Sequence, residues 1–207
     1  MTSPLTDKHL DLGCGKFPRN PYGRGTLCGV DLRALPEIDG FECRSANVVI
    51  EPIPYDDNSF ASVSAYDFIE HVPRVLSGPD GRSTVFPFIR LMNEIWRVLA
   101  PGGRFYAVTP CYPSPAAFQD PTHVNIITEQ THIYFTGDSP LARMYGFTGS
   151  FDLVQAEWGV YKDSLAPQVL TAHQRVRRWN YARKGKLTHF VWEFAAVKPA
   201  QKQAQPS

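Results

Sequence analysis

Gly13 and Gly15 stand two positions apart after an apolar run that begins at Lys8, and Asp31 ends the next apolar run about twenty residues beyond Asp11. Glycine lacks a Cβ, so a G-x-G loop takes tight or left-handed turns and brings backbone N–H groups, that of Cys14 included, close to a ligand. A carboxylate at the tip of the following strand accepts hydrogen bonds from both hydroxyls of a ribose. The two features together predict a pocket for an adenosine-type nucleoside. A dinucleotide needs a third glycine opening a helix, because its pyrophosphate rests on that helix N-terminus. Pro18 holds that place here, and residues 19–25 carry three further breakers without apolar periodicity. A nicotinamide-dependent oxidoreductase is therefore disfavoured.

Acid–base chemistry is offered by His71 and by the segment Gln119-Asp120-Pro121-Thr122-His123. Imidazole titrates near neutrality, and Asp120, three residues before His123, would orient it if the proline turn folds the two together. His71 is the second base candidate. Tyr112, Phe118, Tyr134 and Phe135 form either an aromatic wall for a substrate or packing under a lid. The intervening stretch from Pro110 to Asn125 is long enough to be a functional loop.

The elements that must position these groups follow from periodicity. Lys8–Leu12, Leu27–Val30, Phe41–Arg44, Ala61–Tyr66 and Arg104–Thr109 read as strands. Ser83–Leu99 reads as a helix, with Phe88, Leu91, Met92, Ile95 and Leu99 at three- and four-residue spacing and Pro101-Gly102-Gly103 ending it. Alternating strands and helix predict right-handed crossovers and an α/β, doubly wound, mostly parallel sheet. Residues 151–161 and 187–197 are long, aromatic and β-branched, and predict an antiparallel pair closing one edge. Only eleven residues separate Gly15 from Leu27, too few for an ordinary helical crossover. The first helix is expected to be reduced to an irregular loop or a single turn.

Four segments in chain order are similar to those of class I S-adenosylmethionine-dependent methyltransferases, over roughly residues 8–135. The glycine loop resembles their motif I. Pro52–Phe60 resembles the segment before their fourth strand, Ala61–Val72 their fourth strand with its Glu-His exit, and Glu94–Gly103 their turn into strand five. The resemblance implies a seven-stranded sheet whose last strand is antiparallel, and S-adenosylmethionine as cofactor. It places that cofactor against Asp11, Gly13, Cys14, Gly15, Asp31, Leu32, Asn47, Val48, Asp67 and Phe68. Asn47 stands where the family often has an aspartate facing the adenine amino group, and Phe68 either stacks on adenine or fills the core. The family's third loop glycine falls at Phe17. Thr109-Pro110-Cys111-Tyr112 resembles the tetrapeptide of amino-group methyltransferases but follows the wrong strand, so exocyclic-amine methylation is not supported.

The implied activity is methyl transfer to a small molecule or glycan precursor, with a non-catalytic cofactor-binding or partner-binding module as the alternative. The 207 residues, 43% of them hydrophobic, suit one domain over 1–199 with a flexible tail over 200–207. A formal charge of +1 argues against a globally electrostatic nucleic-acid or membrane binder. One basic, aromatic stretch, Arg175 to Lys186, would suit RNA, and is read instead as a solvated connection before the last strand. Cys14, Cys28, Cys43 and Cys111 have no metal-ligand spacing and are expected to be reduced thiols. No signal-peptide pattern or membrane-length apolar run is present, so a cytoplasmic location without membrane contact is expected.

Overall fold

A computed structural model describes residues 6–35 and 40–199, and the expected tail over 200–207 lies outside the described residues. Seven strands form one sheet: β1 (Lys8–Leu12), β2 (Thr26–Asp31), β3 (Phe41–Ser45), β4 (Phe60–Tyr66), β7 (Leu99–Pro110), β8 (Phe151–Gly159) and β9 (His189–Ala196). Between β4 and β7 lie a two-strand ribbon, β5 (Leu76–Ser77) with β6 (Thr84–Val85), and the helix α1 (Pro87–Val98). The spatial order is β3-β2-β1-β4-β7-β9-β8. From β1 the chain winds outward in both directions, and only β9 runs against its neighbours. The doubly wound sheet and the antiparallel closing pair thus match the reading of the sequence.

The helix starts four residues later than its periodicity suggests. Pro87 sets the first helical φ and needs no donor there, while Thr84 and Val85 pair with Leu76 and Ser77. Its apolar stripe (Phe88, Leu91, Met92, Ile95) packs on Leu10, Leu12, Val63, Ala65, Phe105 and Ala107, which alternate along the strands toward one face of the sheet.

The opposite face is polar. His9 lies between the Ser62 and Ser64 hydroxyls at 2.8 Å each, and Ser64 Oγ donates to Asp11 Oδ1 at 2.6 Å. Since Ser64 spends its proton on Asp11, it accepts from His9 Nε2–H, and His9 Nδ1 accepts from Ser62. Burial, followed by the Arg24 charge, pushes the His9 pKa down to about 3, so the ring stays neutral. No helix joins β1 to β2, as expected. The irregular segment that replaces it turns its own polar groups onto this face: Arg19 N–H donates to Asp11 Oδ2 at 2.8 Å and Tyr22 OH to Glu193 Oε1 at 3.0 Å. A helix would have met its backbone donors internally; a loop needs acceptors from the sheet.

Among the described residues no helix is long and apolar enough to cross a membrane. The four cysteines are free thiols, with Cys14 Sγ 3.6 Å from Cys43 Sγ.

Candidate functional site

The carboxyl ends of β1 and β4 meet at the point where the strand order reverses, which is where open α/β sheets bind ligands. Gly13 (φ +66°) and Gly15 (φ +54°) take left-handed backbone there. The loop spends its amides inward: Gly13 and Cys14 N–H both donate to Val30 O, and Gly15 N–H donates to Asp31 Oδ2 at 3.0 Å. Cys14 points into the sheet toward Gly29, where a Cβ would stand 2.6 Å from its sulfur. The loop and the acidic tip are therefore joined, as the spacing predicts.

Asp31 carries a further feature. Arg33 donates from its backbone N–H and from Nε to Oδ1, both at 3.0 Å, and from its terminal nitrogen to Oδ2 at 3.3 Å. The guanidinium thus places one donor on each carboxylate oxygen. Asp31 is buried and Arg33 largely exposed, 7% against 69%, so the fork can leave without unpacking anything. Burial works to raise the Asp31 pKa, but the bonds from Arg33 and Gly15 outweigh it and hold the carboxylate below its ordinary value.

Around this acid, Leu32 is exposed. Asn47 holds a turn, its Oδ1 accepting from Val49 N–H at 3.2 Å. Val48 is buried in the core beneath that turn. Phe68 packs both on the core and over the loop, where a Cβ on Gly13 would stand 2.5 Å from its ring.

Beyond β4 lies a second set of polar groups. Asp67, in left-handed conformation (φ +47°), accepts from Tyr161 OH at 2.8 Å and His189 Nε2 at 3.1 Å. Arg19 donates to Tyr161 OH at 3.0 Å and lies 4.3 Å over the Tyr66 ring. Burial opposes, yet the His189 and Tyr161 bonds keep Asp67 below its ordinary pKa. Reading the sequence missed Arg19, Tyr161 and His189, because antiparallel pairing far along the chain brings the last two to Asp67.

The proposed pairing of Asp120 with His123 is corrected. The turn that bonds His123 N–H to Asp120 O leaves the Asp120 carboxylate to cap it, accepting from Thr122 N–H at 2.8 Å and Thr122 Oγ at 2.7 Å. That hydroxyl lies 2.9 Å from His71 Nδ1, so Asp120 orients His71 through Thr122. His123 faces His71, ring centroids 4.8 Å apart, and its Nε2 is 4.0 Å from Glu70 Oε1. Glu70, which the sequence suggested only as part of a Glu-His segment, is thus the third member of the group. Among the described residues, Glu70, His71 and His123 are a set whose ligating atoms all lie within 4.8 Å of one another.

Beside this end of the sheet a pocket of about 440 Å³ is lined by Arg74, Phe86, Phe88, Tyr134, Phe135 and Tyr145, among others. Tyr134 and Phe135 therefore do form an aromatic wall, whereas Tyr112 and Phe118 pack on each other elsewhere. Most of the Arg175–Lys186 stretch falls in a helix, α2 (Ala172–Arg183), which has no buried residue and leads to β9 as a solvated connection; Thr171 and Gln174 form a reciprocal capping box at its start. Arg177 pairs with Asp163 and Arg178 with Glu157, which removes two cations from any nucleic-acid surface.

No family model matches the chain, and no curated protein matches it in sequence. Solved structures match over nearly its whole length. The methyltransferase-assigned chain in complex with the Haloferax volcanii Trm112 methyltransferase activator has a TM-score of 0.58 at 17% identity, over 94% of this chain and 85% of its own. Geranyl diphosphate C-methyltransferase from Streptomyces coelicolor A3(2), bound to Mg²⁺, geranyl diphosphate and S-adenosyl-L-homocysteine, has 0.56 at 17%, over 95% and 74%. The fold is that of the class I methyltransferases. The cyclase SpnF also shares it, with a TM-score of 0.51 at 14% identity over 93% and 75%, so the reaction must be argued from the site.

Proposed function

We propose that the protein transfers a methyl group from S-adenosylmethionine to a small-molecule acceptor. The observation that carries this reading is the Arg33 fork on Asp31, which shows a paired-donor site on a buried carboxylate at the switch point of a class I methyltransferase sheet. Asp31 would hold the ribose, Leu32 and the Asn47 turn the adenine, and Arg19 and Asp67 would meet the methionine end.

When bound, S-adenosylmethionine supplies a sulfonium-borne methyl group; the acceptor's electron pair forms the new bond as the C–S pair returns to sulfur. This chain's task is then to align the acceptor, exclude water and take a proton where the acceptor carries one. The pocket beside α1 has the size and the apolar, aromatic lining of a small-molecule site, with Arg74 as its cation. That lining favours an apolar small molecule over a glycan. His71 and His123, whose rings face each other, would receive the proton. Replacing His123 with alanine is expected to lower turnover about tenfold, less than the loss of a lone base, because His71 stands beside it. S-adenosylmethionine affinity should not change; equal turnover by the variant across a panel of apolar hydroxyl and carboxyl acceptors would remove His123 from this role.

Calorimetric titration with S-adenosylmethionine, S-adenosylhomocysteine and NAD tests the cofactor directly. Binding of the first two but not the third is expected. Binding with no transfer across the acceptor panel would favour a non-catalytic cofactor-binding module.

A further inference from the structure

Glu70 is 1% exposed, and its Oε1 has no hydrogen-bond partner. The other oxygen accepts from Thr109 Oγ at 2.9 Å, which fixes the carboxyl plane and aims Oε1 toward His123 Nε2. Each imidazole also offers one ring nitrogen to this group. Asp120 takes the Thr122 hydroxyl proton, so that hydroxyl accepts from His71 Nδ1–H and leaves the other ring nitrogen unprotonated. His123 Nδ1 lies 3.3 Å from Ala117 O, an acceptor only, so it carries the proton and Nε2 does not. Three potential ligand atoms thus converge, and a bound ion would displace the proton that the buried Glu70 carboxyl holds.

We propose that Glu70 Oε1 and the unprotonated ring nitrogens of His71 and His123 bind a divalent transition-metal ion. Two imidazoles and one carboxylate are a borderline donor set that suits zinc, cobalt or iron(II) and leaves coordination positions open. Bonds of about 2.0–2.2 Å set neighbouring ligands roughly 3 Å apart, so Glu70 Oε1 and His123 Nε2, 4.0 Å apart, must close by about 1 Å and the widest pair, within 4.8 Å, by up to about 2 Å. His123, and the Thr122 that holds His71, lie on an irregular loop that can follow. The Asp120–Thr122 pair and the Ala117 carbonyl already supply the outer hydrogen bonds that fix ligating histidines. With the ion bound, His71 and His123 would spend their lone pairs on it, so an acceptor's proton would pass to a metal-bound hydroxide instead; this last point rests on the proposed methyl transfer, whereas the metal site does not.

Tag-free protein stripped with a chelator and titrated with Co²⁺ should bind one ion per chain and develop visible ligand-field bands that Zn²⁺ displaces. Glu70→Gln and His123→Asn should each weaken binding at least tenfold, and Thr122→Val about tenfold through the lost orientation of His71. His123→Asn changes a loop residue, so it remains informative if Glu70→Gln perturbs folding. Absence of saturable Co²⁺ binding by the wild-type chain, or binding unmoved by either ligand substitution, overturns the proposal. Parallel titration with S-adenosylmethionine keeps the two readings apart: metal binding without nucleoside binding would sink only the methyltransferase assignment.

Discussion

Replacing Asp31 with alanine is expected to weaken S-adenosylmethionine binding about a hundredfold, measured by calorimetry. Hydrogen bonds to an ionised acceptor contribute about 1.5–3 kcal/mol each; two of them to the ribose, less what water restores, amount to roughly 3 kcal/mol, and each 1.4 kcal/mol is tenfold. Asp31→Asn keeps one carbonyl acceptor and loses the charge, so it should fall between, near tenfold. The structure adds a second arm. Arg33 must give up its fork before a ribose can take those positions, so Arg33→Ala should bind the same ligand equally well or a few-fold more tightly. An Asp31→Ala chain that binds normally would place the nucleoside elsewhere. An Arg33→Ala chain that binds much more weakly would make Arg33 a ligand contact and not a stand-in.

Why this end of the site was legible and the other was not is a matter of sequence distance. Gly13, Gly15 and Asp31 are set by one strand, its turn and the next strand, so local chemistry places them, and β1 runs over the residues its alternation suggests. The helix α1 was legible along its buried stripe but not at its start, where Pro87 outweighs the polar residues before it. Asp120 and His123 show how local reasoning fails. Spacing suggested a pair, yet a carboxylate two residues before a free N–H caps its own turn first. Glu70 reaches His123 only because Val124 and Asn125 N–H bond back to its carbonyl across the gap between β4 and the loop after β7. No periodicity encodes that contact. Tyr161 and His189 reach Asp67 through the β8–β9 register, which likewise exists only once the sheet has formed.

The buried Glu70 should also make folding stability fall as pH rises through neutrality. Burial, with smaller repulsion from Asp67 and Asp120, pushes its pKa from 4.5 up to about 8 against the help of the Thr109 hydroxyl. The folded chain therefore holds a proton that the unfolded chain has released throughout that interval. Stability is fully present below the unfolded value, and is lost with rising pH at up to about 1.4 kcal/mol per pH unit, roughly 5 kcal/mol in all. Asp11, raised by burial to about 6, contributes in the same direction but completes its loss lower down. Lys198, lowered by burial to about 8, works the other way above that point. Denaturant unfolding between about pH 6.5 and 8 samples the Glu70 decline, opposed at the lower end by His9 and His132, which burial pushes below their ordinary pKa. Glu70→Gln, neutral at every pH and able to keep the Thr109 bond, should flatten the decline; parallel curves for variant and wild type would show Glu70 titrating normally. A divalent ion on the proposed site reverses the sign of the linkage, because it binds the carboxylate and displaces the proton. Added Co²⁺ should then stabilise the wild-type chain more at pH 8 than at pH 6.5, and should do little for the glutamine variant at either.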